Sequence, residues 1–223
     1  MKIKLFSHAV CLNGDISITK EQTSLLMESH LFFESNCELN MMLHYNKEDF
    51  KWLTDTWPEV PGYVNYKVFD DSYRDWHEGT TIHHIQELVH STNEEFYVCY
   101  IHHKGISSGQ SGWRKYMQYW NIEKWKECVA KLDEGYDLCG ASFLDNPPHP
   151  FYAGNFFWAK ASYLRRCKRL KPPPENGFKP QFSGQPHHRY DYECWHGSGN
   201  PKAYDMHPGP ENRWYWPPEL YRN

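Results

Sequence analysis

The chain has 223 residues, enough for one domain with a proper core and short for two. Its formal charge of -4 and pI near 6.4 give no general attraction to phosphate backbones or anionic membranes, so nucleic acid is not the expected partner. No run approaches the ~20 apolar residues of a membrane span, and the first residues lack the apolar segment of a signal peptide. A soluble, cytoplasmic protein is expected.

Aromatic residues make up 17% of a chain whose mean hydropathy is -0.83, with 10 Trp and 16 Tyr, more rings than a core alone would use. Sugar rings present apolar C–H faces that stack on indole and phenol, so carbohydrate is a reasonable ligand class; the alternative is that the rings are core and rim. Seven cysteines (Cys11, Cys37, Cys99, Cys128, Cys139, Cys167, Cys194) form no C-x-x-C pair and are expected as buried free thiols.

In chain order, residues 3–12 predict a first strand, with Asn13-Gly14-Asp15 as its turn. Thr19 and Gln22 form the pattern of a capping box opening a helix to about Phe32. Residues 38–45 predict a second strand, 47–57 a short helix closed by Pro58, and 63–69 a third strand ending on Asp70-Asp71-Ser72. An amphipathic helix begins at Thr80 or Thr81, carrying Ile82, Ile85, Leu88 and Val89 on one face. The central strand, Phe96 to Ile101, is aromatic and β-branched and stops at His102-His103-Lys104-Gly105. A Gly/Ser loop comes next, then a long helix over 113–133, a fifth strand over 136–143, a strand or buried segment over 152–160, and a helix over 161–170. The last fifty residues read as loop, interrupted by 190–195. Strands alternating with helices predict a single α/β domain with a mostly parallel central sheet flanked by helices, and a loop-rich C-terminal segment.

Four places carry candidate chemistry. Lys104 suits a diphosphate and Gly105 permits close backbone approach, because polar residues ending a central parallel strand lie on the edge where open α/β sheets bind ligands. Asp70 and Asp71 offer hard oxygen donors for a divalent cation, or form a solvated turn that caps the next segment. Gly154-Asn155-Phe156-Phe157-Trp158-Ala159 suits a floor for a sugar, or is core. Asp191 and Glu193 share a face at strand-like spacing, where neighbouring rings would desolvate a carboxylate into a base; the alternative is a surface acid. His83-His84 and His187-His188 lack zinc-site spacing and read as surface residues.

These pieces, in order, resemble a glycosyltransferase-like family of the GT-A type found in bacteria and large viruses, including capsid-glycosylating enzymes of algal viruses. The resemblance rests on Cys11-Leu12-Asn13, Glu78-Gly-Thr-Thr81-Ile82, Tyr100-Ile-His-His-Lys-Gly105, Trp113-Arg114, the run from His149 to Ala159, Ala161-Ser-Tyr-Leu164, and Glu193-x-Trp195. It covers the chain to about residue 199 and implies a nucleotide-sugar half over about 1–105, an acceptor half over 106–199, and a Pro/aromatic-rich tail over 200–223. It implies donor binding by Asn13, Glu78, Thr81, His102, Lys104 and Gly105, and substrate binding by Trp113, Arg114, Gly154, Asn155, Phe156, Trp158 and Trp195. Phe157 stands where the family more often has Trp. The acids that hold Mn2+ or Mg2+ in such enzymes are missing at 102–105; either Lys104 substitutes for the metal charge, or Asp70 and Asp71 supply ligands.

The expected activity is transfer of a sugar from a nucleotide-sugar donor to a glycan or glycoprotein hydroxyl, inverting, with Glu193 or failing it Asp191 as base. A catalytically inactive carbohydrate-binding module and a metal-dependent hydrolase are the other classes, and additional domains or a partner chain are open.

Overall fold

The computed structural model describes residues 1–10, 15–44, 64–104, 109–145, 149–172, 175, 177–184, 186–210 and 216–222. Among them a seven-stranded sheet has the order β3-β2-β1-β4-β8-β5-β9, formed by β1 (Lys2–Val10), β2 (Cys37–His44), β3 (Val64–Phe69), β4 (Phe96–His102), β5 (Leu138–Gly140), β8 (Phe157–Lys160) and β9 (Ala203–Asp205). β6 (Phe143–Leu144) and β7 (Phe151–Tyr152) pair as a separate two-stranded ribbon. The first four strands run parallel, β8 runs antiparallel to both β4 and β5, and β9 is parallel to β5. The mostly parallel α/β architecture expected from the alternation of elements is the one observed.

Helices cover both faces, and strand alternation decides which residue meets which. Ile3, Leu5, Leu39, Met41, Cys99, Ile101 and Trp158 pack on one face. The helices there are α1 (Ser17–Glu28), α2 (Leu31–Glu34), α4 (Ser111–Gln118) and α5 (Trp125–Asp133), once α3 (Gly79–Ser91) is assigned to the other side. On that other face Phe6, Val98, Tyr100 and Phe157 meet α3, α6 (Ala161–Leu164) and α7 (Arg189–Cys194). β4 is buried along its whole length, which is why it reads as an unbroken apolar run rather than an alternating one.

Several expectations change. The capping box at Thr19 does not form: α1 begins at Ser17, Thr19 Oγ1 contacts His103 Nε2 at 3.4 Å, and the Gln22 amide donates to the His102 carbonyl at 2.9 Å. Both side chains hold the end of β4 in place of their own helix. The long helix over 113–133 is interrupted by a π-helical turn, Tyr119–Glu123, and the helix after β8 ends at Leu164. The tail does not begin at residue 200, since β9 extends the sheet, and Trp216 and Tyr221 pack around Tyr116. The six described cysteines are buried and unpaired, as expected. The predicted turn at Asn13, the helix over 47–57 and Gly105 lie outside the described residues. No described helix is long and apolar enough to cross a membrane.

Candidate active site

The chain passes from β1 outward to β2 and β3, then crosses back to β4, so the strand order reverses between β1 and β4. Such a reversal marks, at the carboxyl ends of the two strands, the general ligand-binding position of open α/β sheets. Here each of β2, β1 and β4 carries a histidine at or near its carboxyl end. His8 and His102 are register partners on β1 and β4, while His44 pairs with Val10, two residues further along β1, and its ring lies 4.8 Å from that of His8. Each is met by the start of α3: Thr80 Oγ1 lies 2.9 Å from His44 Nε2, Thr81 Oγ1 lies 2.9 Å from His8 Nδ1, and Glu78 Oε1 lies 3.7 Å from His102 Nδ1. Burial drives the His8 and His102 pKa values well below the usual imidazole range and His44 down to about 4, so the row is uncharged at neutral pH.

Beside this row lies a compact charge cluster. Arg189, opening α7, places Nη2 3.0 Å from Glu78 Oε1 and Nε 3.1 Å from Glu193 Oε1. Against the cost of burial, His102 and the Arg189 guanidinium hold the Glu78 carboxyl below its ordinary value. Glu193 shifts the other way: burial and the neighbouring Glu78 carboxylate raise its pKa, opposed by Lys104 and Arg189. Burial lowers the Lys104 pKa, while Glu193 and Glu78 favour its charged form. The Lys104 ammonium sits over the Trp113 ring, 4.2 Å from its centroid. One carboxylate therefore serves as fixed counter-charge, and the second is half-buried with its proton affinity increased.

Several polar atoms around this cluster are buried with no hydrogen-bond partner among the described residues: Glu78 Oε2, His102 Nε2, Trp113 Nε1, and both Asn155 amide atoms. The His102 ring packs edge-on against Phe156 at 5.3 Å, and a Cβ on Gly154, which has φ +91°, would lie 3.1 Å from Trp113 Nε1. Buried polar groups are normally satisfied, so this group of orphans at one sheet edge calls for an outside partner.

Other expected site residues are employed inside the fold. Thr81 is bonded to His8 within the core. Arg114 forms a two-pronged pair with Glu21, at 3.1 and 3.0 Å, and donates to the Lys104 carbonyl at 3.2 Å, so it positions the lysine and offers no free fork to substrate. Phe156, Trp158 and Trp195 are fully buried; the indoles of Trp158 and Trp195 donate to the carbonyls of Asn121 and Lys168. The aromatic floor is core, and Trp113 is the ring left at the site. Segment 189–194 is helical rather than extended, so Asp191 and Glu193 diverge by about 200° around the axis. Asp191 is buried on the far side, accepting from the backbone N–H groups of Gln181, Phe182 and Ser183, and cannot replace Glu193 as base. Asp70 caps the turn Asp71–Trp76, its Oδ1 accepting from the Ser72 N–H at 2.9 Å and its hydroxyl at 2.5 Å. The Asp71 side chain, Asn13 and Gly105 lie outside the described residues.

A magnesium or manganese ion bridging a diphosphate needs several free oxygen donors. Among the described residues Asp70 Oδ1 is engaged by its turn, and Glu78 and Glu193 each set Oε1 against Arg189. Positive charge for phosphates is available from Lys104 and Arg189. Sequence reasoning missed Arg189 and the histidine row; the signal for two of its members was that predicted strands end beside His44 and His102.

The model of a family described as a domain of unknown function (DUF8361) matches residues 64–190. No curated protein matches this chain. Among solved structures, a Desulfovibrio desulfuricans G20 protein provisionally described as a nucleotide-diphospho-sugar transferase is 8% identical, with TM-score 0.43, over 93% of this chain and 80% of its own. The 4-diphosphocytidyl-2C-methyl-D-erythritol synthase of Anaerococcus prevotii DSM 20548 is 10% identical, with TM-score 0.40, over 98% of this chain and 94% of its own.

Proposed function

The chain belongs to the DUF8361 family, whose description leaves its chemistry open, and from that premise we propose that it transfers a glycosyl group from a nucleoside-diphosphate sugar to an acceptor hydroxyl. The observation that carries this reading is the set of orphaned polar groups near Lys104 and Glu193, by the carboxyl ends of β1 and β4. An inactive sugar-binding module loses its main support because Phe156 and Trp158 are buried.

In this reading Glu193 accepts the proton of the acceptor O–H as that oxygen bonds the anomeric carbon. The carbon–oxygen bond to the diphosphate breaks on the opposite side, its electron pair leaving with the phosphate oxygen. Lys104 and Arg189 neutralise the charge that develops there, in a site whose burial strengthens their effect. Glu78 keeps Arg189 and the Glu193 carboxylate in register. The row of neutral histidines closes the floor without adding charge.

A base works only when deprotonated, so the raised pKa of Glu193 predicts a rate that falls on the acid side at a pH above the ordinary carboxylate range. Glu193→Gln should lower kcat by about 10^2-fold or more, remove that limb, and leave the thermal shift produced by the donor intact. The experiment is a panel of nucleotide sugars screened by thermal shift, followed by a pH–rate profile on any that binds. An unchanged profile in the Gln variant removes Glu193 from the base role.

A further inference from the structure

His187 and His188, which sequence spacing placed on the surface, come together with His77 in the fold. His77, at the end of the turn Asp71–Trp76, and His187 and His188, just before α7, present ligand atoms all within 4.8 Å of one another. The ring centroids are 5.5 Å apart for His77 and His187, 5.8 Å for His77 and His188, and 4.4 Å for His187 and His188. We propose that these three imidazoles form a binding site for a zinc-class divalent transition metal, with a fourth position left to water, that braces the 71–77 turn against the start of α7.

The donor chemistry favours this class. Imidazole nitrogen suits zinc, cobalt, nickel and copper, whereas magnesium and calcium require oxygen. One ring is already oriented as a ligand would be: His188 Nε2 lies 2.9 Å from the Asp75 carbonyl, which keeps the proton on that nitrogen and the Nδ1 lone pair available. His187 Nδ1 accepts from the Arg189 N–H at 3.1 Å, an exposed contact that an ion would replace. His77 is half-buried and adopts φ 48°, an uncommon conformation for a residue with a side chain, at the position that turns the chain toward the other two.

The site is separate from the residues assigned to transfer, yet each ligand segment abuts them: His77 precedes Glu78, and His188 precedes Arg189. A bound ion would join two segments 111 residues apart at the ion pair that connects them. The inference stands whether or not the transferase reading holds.

Zn2+ alone is titrated by calorimetry into untagged protein stripped with a chelator, with Mg2+ as control, and Co2+ binding is followed by its visible absorption. One equivalent of Zn2+ should bind, Tm should rise by several degrees, Co2+ should give an intense four-coordinate spectrum, and Mg2+ should do none of these. His187→Ala, at an exposed position, should weaken Zn2+ about tenfold or more, and His77→Gln with His187→Ala should abolish stoichiometric binding while far-UV circular dichroism stays native. Asp70→Asn should leave binding unchanged. Absence of stoichiometric binding to the parent protein, or equal affinity in the double variant, overturns the site.

Discussion

At the scale of single residues, the molecule separates histidines that hold its fold from the groups left for chemistry. His103 ties the end of β4 to Val10, contacting its backbone N–H and carbonyl at 3.1 Å, while His196 accepts from the Tyr152 N–H at 3.0 Å. Burial lowers their pKa values to about 4 and about 3, and those of His44 and His83 to about 4. The unfolded chain takes up these protons near pH 6.5 and the folded chain does not, so their contribution to stability is full above that pH and is lost as pH falls toward 4. Each such histidine costs about 1.4 kcal/mol per pH unit in that window. Tm should therefore drop steeply between pH 7 and pH 5, and a flat profile by circular dichroism would contradict their burial in the neutral form. His102 and Lys104 stood out in the sequence because a strand pattern stopped at polar residues, whereas Glu193 was singled out on a strand-like spacing that the helix replaces. The burial of Trp158 was not identifiable, since an aromatic run reads alike whether it faces a ligand or a core.

At the scale of elements, the contact of α3 with α7 sets the site. Gly79 lies where a Cβ would fall 2.7 Å from the Tyr192 ring, so the two helices approach as closely as they do only because that position has no side chain. Gly79→Ala should push α7 away and with it Arg189 and Glu193. Stability should fall by about 1–3 kcal/mol in urea unfolding, and turnover should fall by more than that loss of folded protein explains. The sequence pattern located α3 well, because its apolar residues repeat at helical spacing. It misjudged 189–194, where Asp191 and Glu193 alternate with Tyr192 as they would in a strand; three backbone donors waiting for Asp191 on one side favour the helix.

At the scale of the whole molecule, described residues near the C-terminus are built into the fold. β9 pairs with β5, Trp216 stacks on Trp113 at 5.6 Å, and Tyr221 packs on Tyr116 and Tyr119. Since Trp113 also lies under Lys104, the C-terminal residues brace one wall of the site. A chain ending at residue 199 should lose on the order of 10 °C in Tm or fail to stay soluble, given the roughly 3–5 kcal/mol that a buried Trp alone contributes. Full retention of Tm would mean that these contacts carry no weight.

Local periodicity and composition were sufficient for the alternating strands and helices, the parallel sheet and the polar end of β4, because each depends on residues a few positions apart. Which charges meet was decided only in three dimensions. Glu78 finds Arg189 across 111 residues and His8 finds Thr81 across 73, pairings set by how helices seat on a sheet and by whether each buried polar group reaches a partner. Packing of that kind has no period along the chain, so it leaves no pattern to read before the chain has folded.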